Sequence, residues 1–270
     1  MSIVKKLFNF YINASIHVAL SVYALVRITE HYFEIDYNQN LNYFIFFATI
    51  SGYNFVKYAG VAKFYHKSLT NNLKIIQIFS FVCFCLLCYY AWLLPTSTLL
   101  YFVPLILITI LYIVPFLGGF QKSLRKVSYL KIFVVAIVWS LVTATIPLLV
   151  VENEISSELI LYSIQRVLVV LVLILPFEIR DIKLDLKDIK TLPQKIGVEQ
   201  TKKVGFTLLL FALVFEFLIT DSLITRNIFL AACFVMLFFL MRSKENQSTY
   251  YSSFWVESIP VFWWILLLLF

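Results

Sequence analysis

Charge is what this chain has least of. Asp, Glu, Lys and Arg make up 14% of its 270 residues, where a soluble domain carries about 25%. The rest is 61% apolar and 18% aromatic, with a mean hydropathy of +0.90, so polar surface is too scarce to coat a soluble ball of this size. That excludes a soluble enzyme, a disordered chain and a DNA-binding module. Cysteine chemistry is thin as well. Cys83, Cys85 and Cys88 share one apolar run and Cys233 lies in another, and no second pair or nearby His completes a metal site around Cys85 and Cys88. No cleavable leader is expected. Lys5 and Lys6 precede an apolar stretch that continues to Leu25 without a convincing small-residue cleavage site.

What the chain does have is apolar length. A bilayer span needs roughly 20 mostly apolar residues, and the apolar blocks here predict nine helices, over about 9–28, 41–59, 75–94, 98–117, 128–150, 159–180, 203–220, 225–242 and 252–270. The expectation is an all-α integral membrane protein, a nine-transmembrane-helix bundle forming a single domain over 1–270. Strands are excluded because the blocks are long and lack alternation, and an open sheet would leave backbone groups unpaired in lipid.

The basic residues agree with that count. With the N-terminus inside, nineteen of the 22 Lys and Arg fall on one side, as the positive-inside rule predicts. Arg27 and Arg226 fall on the other side, and Arg166 lies within a span. The outer loops are short and acidic, with Glu30, Glu34 and Asp36, then Glu152, Glu154 and Glu158, then Asp221. An odd number of spans puts Phe270 outside, and a basic inner side fits a bacterial inner membrane. The net charge of +7 is scattered between apolar blocks, which points to the bilayer and to anionic groups at its surface as partners rather than to nucleic acid.

One inner loop is rich in chemistry. Pro176 to Gly197 reads PFEIRDIKLDLKDIKTLPQKIG. If the preceding helix continues past Arg180, then Asp181, Asp185 and Asp188 fall at i, i+4 and i+7 on one face. Stacked carboxylates can hold a hard cation such as Mg2+, which prefers oxygen ligands and often bridges to phosphate. Arg180, Lys183, Lys187 and Lys190 alternate with them, and cations beside such a cluster suit a diphosphate. The same spacing also describes a solvated amphipathic helix.

The run Arg180-Asp181-Ile-Lys-Leu-Asp185, followed by Lys190-Thr191-Leu192-Pro193 and ending in Ile196-Gly197, resembles the second acidic motif of the UbiA superfamily of intramembrane prenyltransferases. Tyr112–Pro115 and then Leu124–Arg125 look like that family's central segment, so the likeness spans most of the chain. The resemblance implies nine helices around a central cavity that opens sideways to lipid. It also implies Mg2+ on two motifs binding a polyprenyl diphosphate, with loss of diphosphate giving an allylic cation that a lipophilic acceptor captures. Asp181 and Asp185 would then be catalytic. Asp181, Asp185 and Asp188 would hold metal, and Asn54, Lys57, Lys63, Arg125, Arg180, Lys183 and Lys190 would bind substrate.

The first motif departs from the family pattern of Asn-Asp-x-x-Asp. The aligned stretch is Asn54-Phe55-Val56-Lys57-Tyr58, with Ala62 at the last position, and 51–74 contains no Asp or Glu at all. Two readings compete. In one, Lys57 and Lys63 partly replace the missing metal and hold a diphosphate or phospholipid head against the Asp-bound Mg2+. In the other, the chain is a degenerate relative, a non-catalytic subunit that binds lipid or a partner membrane protein. Among intramembrane polar residues, Glu257 is expected near the inner side, either at the site or in a structural pair. Arg166 and Glu216 are expected to form an ion pair, and His17 to be a hydrogen-bonded core residue.

Overall fold

The computed structural model describes residues 3–64, 71–113, 130–183 and 191–270, with side chains described outside 59–64, 71–72, 112–113. The described residues form helices and no strand. In order these are α1 (Ile3–Asn13), α2 (Ile16–Tyr32), α3 (Gln39–Phe64), α4 (Asn71–Leu93), α5 (Thr96–Ile113), α6 (Leu130–Ser140), α7 (Ile146–Glu152), α8 (Ser157–Asp181), α9 (Leu192–Ile196), α10 (Val198–Ile219), α11 (Leu223–Arg242) and α12 (Ile259–Leu269). A π-turn at Leu141–Thr145 joins α6 to α7, and a second at Tyr251–Val256 precedes α12. Five described helical segments are long and apolar enough to cross a membrane, and a sixth counts if α1 and α2 are one bent span. The protein is an integral membrane protein.

Three of the expected helices are not single rods. The first breaks at Ala14–Ser15, where Ser15 takes the left-handed conformation (φ 60°), and α1 meets α2 at 55°. The fifth and ninth each contain a π-turn, a device that locally re-aims side chains. Elsewhere the ends follow local chemistry. Ser156 caps α8 by accepting from Leu159 N–H at 3.0 Å, and Ser222 caps α11 by accepting from Thr225 N–H at 3.2 Å.

The apolar blocks are too long for their sequence to say which face is buried, and packing decides it. α8 is central, with 61% of its most apolar window buried, whereas α4 has 11% and faces lipid with Phe81, Phe84 and Trp92. The main core gathers Val169, Val172 and Leu175 of α8 with Leu209, Ala212, Phe229, Met236 and Trp263. Gly205 permits a close approach of Leu240 and Leu175 in this core. A Cβ there would sit 2.3 Å from Leu240 Cδ2 and 2.8 Å from Leu175 Cδ1.

Around the N-terminal half of α8 the core contains a polar network. Arg166, 1% exposed, donates to Thr29 Oγ1 at 3.2 Å and to the Tyr162 hydroxyl, and its guanidinium lies 5.3 Å from the Trp263 ring. Glu216 accepts from Gln165 Nε2 at 2.7 Å and from the Tyr32 hydroxyl at 2.9 Å. The expected Arg166–Glu216 ion pair is therefore not direct. Uncharged side chains stand between the two charges, which still feel one another's field. Glu30, expected in an outer loop, is instead a buried residue of α2, paired with Arg27 and accepting from Asn42 Nδ2.

Candidate functional site

The break after Asn13 leaves carbonyls without helical partners, as every helix end does. α3 supplies the missing donors. Asn54 Nδ2 donates to Ala14 O at 3.0 Å, Lys57 Nζ to Asn13 O at 3.3 Å, and the Tyr58 hydroxyl to Asn13 O at 2.9 Å. Positions 54, 57 and 58 share one helical face, and a cation suits the negative end of α1. The stretch aligned with an acidic motif thus serves here as the cap of a broken helix. Asn54 is 3% exposed, and its second amide hydrogen goes to Ser80 Oγ at 2.8 Å.

The facing wall is the C-terminal end of α8. Arg180 grips Asp181 with two bonds, Nε to Oδ1 at 2.7 Å and Nη2 to Oδ2 at 3.0 Å, and reaches Ser253 Oγ at 3.2 Å through Nη1. One turn back, Glu178 pairs with Lys131 of α6 at 2.8 Å. Lys183 turns to the 243–250 loop, meeting Asn246 Oδ1 at 3.0 Å and Glu245 at 3.4 Å. Beyond it, Gln194 ties Ile182 to Thr191. Its Oε1 accepts from Thr191 N–H at 3.0 Å and its Nε2 donates to Ile182 O at 2.9 Å. Gly197, with φ 83° and ψ 161°, then turns the chain into α10 through a region nearly reserved for glycine. The Thr191–Gly197 signature therefore ties the start of α9 to Ile182 at the end of α8.

The third wall is the π-turn before α12, and it is pinned to α8. Pro176 O accepts from Gln247 Nε2 at 2.8 Å and from Ser252 Oγ at 3.3 Å. His17 ties the same turn to α2. Its Nε2–H meets Phe254 O at 2.9 Å, a carbonyl that only accepts, so Nδ1 is left to accept from the Tyr11 hydroxyl at 2.7 Å. The expected core histidine is thus found, with partners other than its helical neighbours Asn13 and Ser21. Glu257 follows this turn and lies in the electrostatic field of Lys57, Arg180 and Tyr11. Among the described residues no hydrogen bond or ion pair reaches its carboxylate.

The structure thus brings Lys57, Arg180, Asp181 and Glu257 to one region and buries Asn54 beside it. Asp185, Asp188, Lys190 and Arg125 lie outside the described residues, as does the side chain of Lys63. A metal with ligands on both walls does not fit what is described. α3 presents lysine and no acid, Asp181 is taken by Arg180, and no cluster of three His, Cys, Asp or Glu occurs among the described residues. Sequence reasoning missed Tyr11 and the capping role of Tyr58. The one signal for both was the polar Asn9, Asn13 and Ser15 inside an otherwise apolar block.

No family model matches the sequence, and no curated protein matches it. Two solved structures do match the fold. One is a UbiA homologue from Archaeoglobus fulgidus bound to GPP and Mg2+, with TM-score 0.63 and 13% identity over 96% of this chain and 98% of that one. The other is a digeranylgeranylglyceryl phosphate synthase, with TM-score 0.55 and 13% identity over 97% of this chain and 98% of that one. Both matches run nearly end to end, and at that identity what they establish is architecture: the chain is an all-helical membrane protein with the UbiA fold.

Proposed function

We propose that this is a membrane prenyltransferase with an altered head-group site, acting as one domain over 1–270. It would take a polyprenyl diphosphate between α3 and α8 and transfer the prenyl group to a lipophilic acceptor. The observation that carries the reading is the convergence of Lys57 and Arg180 from the two walls. Each lies in the other's field, although Arg180 is also paired with Asp181, and two cations sharing a field favour an anion near both. The solved homologue bound to GPP and Mg2+ makes a prenyl diphosphate the natural anion, with a phospholipid phosphate as the competing head group. On this chain the metal would be one-sided, held by Asp181, Asp185 and Asp188 alone. The nine expected segments would cross a bacterial inner membrane around a central cavity, with the N-terminus cytoplasmic and Phe270 outside.

Binding tests the reading. In nanodiscs, the wild type should bind the thiolo analogue of geranylgeranyl diphosphate, and Lys57→Ala and Arg180→Ala should each weaken it at least about tenfold, the loss of one charge-assisted contact. Binding that ignores both substitutions, or no binding at all, overturns it.

One observation favours a second reading, a non-catalytic subunit. Asn54, Lys57 and Tyr58 already have a structural task in capping α1. A stoichiometric membrane-protein partner in a mild-detergent pull-down, together with no transfer beside an active control, supports that reading.

A further inference from the structure

α2 alone nearly spans a bilayer. Its 17 residues rise about 26 Å, close to the roughly 30 Å of a hydrocarbon core, and α1 leaves its axis at 55°. From Phe8 onward α1 is held against the bundle. Phe8 packs on Phe254 at 5.1 Å and Phe10 on Phe79 at 5.4 Å between ring centroids, Asn9 Oδ1 accepts from the Tyr250 hydroxyl, and the C-terminal end is capped from α3. Phe254 belongs to the turn that meets Arg180 through Ser253, so α1 lies at the end of the bundle that carries the C-terminal end of α8. Every residue from Ile3 to Leu7 is exposed. Ile3 and Leu7 stand at i and i+4 with Val4 beside them, one apolar patch, and they are 77%, 64% and 76% exposed in that order. Lys5 falls on the other side in line with Asn9, and Lys6 in line with Asn13. The first acid in the chain is Glu30, so α1 carries two cations and no carboxylate.

We propose that α1 is an interfacial helix docked on anionic phospholipid, with Ile3, Val4 and Leu7 entering the acyl boundary and Lys5 and Lys6 meeting phosphate oxygens. A short helix with lysines on one face and large apolar side chains on the other lies in the headgroup layer for that reason, and lysine stems can rest on apolar surface while their ammonium groups stay among the headgroups. The bend serves the same end. A straight helix from Ile3 to Tyr32 would be about 45 Å long, well beyond the hydrocarbon core, and the break lets the surplus turn toward the surface. A second copy seated on the patch would bring like charges together, which is unfavourable, whereas phosphate complements them. The other end of α1 is the one that Asn54, Lys57 and Tyr58 hold, so lipid and the α3 wall fix the two ends of one short helix. The inference stands whether or not the chain transfers a prenyl group.

The test uses the full chain in mixed DOPC–DOPG nanodiscs, with Cys83→Ala, Cys85→Ala, Cys88→Ala and Cys233→Ala, and Leu7→Cys carrying acrylodan. Brominated DOPG should quench the label at least about fivefold more than brominated DOPC, the worth of about one lysine at an anionic surface. Adding Lys5→Glu and Lys6→Glu should abolish that preference. A label quenched by neither lipid, or by both equally, overturns the proposal, and so does cross-linking of two chains through position 7, which would seat a second copy there instead. A second measurement keeps the native cysteines and carries no label. The wild type should have a higher Tm in DOPG than in DOPC nanodiscs, and the difference should shrink in the chain with Lys5→Glu and Lys6→Glu. A difference unchanged by those two substitutions, or absent from the wild type, overturns the proposal.

Discussion

Asn54→Leu separates a structural from a ligand-binding role for the 54–58 stretch. The side chain is buried and supplies the partner of Ala14 O, at 3.0 Å, and a bond to Ser80 Oγ at 2.8 Å. Leucine keeps the volume and leaves a buried carbonyl without a donor, which costs about 1–3 kcal/mol. Asn54 Oδ1 is itself buried without a partner, and its removal offsets part of that loss, so the net lies near the low end, about 1–2 kcal/mol. For a chain of this size that is a fall in Tm of roughly 2–8 °C. Tyr58→Phe should do less, about 0.5 kcal/mol, because Lys57 still donates to Asn13 O. Thermal unfolding in one detergent, scanned at one rate, ranks the two, and analogue binding by the surviving folded fraction completes the assay. An unchanged Tm with lost binding in Asn54→Leu refutes the capping role and returns Asn54 to the ligand.

Gly205→Ala should destabilise by about 1–3 kcal/mol through overpacking against Leu240 and Leu175, read as a lower Tm, with Leu240→Ala in the same chain recovering part of the loss. Arg166→Met and Glu216→Gln should each destabilise the packing around the N-terminal half of α8. Although the two never touch, a double-mutant cycle should show coupling of about 0.5–3 kcal/mol through Tyr162, Gln165 and Tyr32, and simple additivity would remove the shared network.

Some of this protein is legible in its residues alone. The apolar blocks and the 180–197 run require neighbours only along the chain, so they announce membrane helices and a resemblance to UbiA that the fold shares. Helix breaks were not legible. An isolated Ser15 or Tyr251 reads as an ordinary helical residue, and the break exists because α3 and α8 supply partners for the freed backbone groups. Arg166 and Glu216 were visible as two intramembrane charges, but the uncharged side chains interposed between them come from α2 and α8, which sequence cannot place.

The sequence by itself determined that the solvent is lipid, that the secondary structure is helix, and that the 51–74 wall lacks acid, because composition and period are local properties. Only the tertiary structure decided what that wall does. Asn54, Lys57 and Tyr58 cap α1 because a broken helix end happens to lie against them, and Glu257 shares a region with Lys57 and Arg180 because a π-turn pinned to α8 carries it there. Both outcomes depend on distances between segments far apart in the chain, which no local pattern encodes.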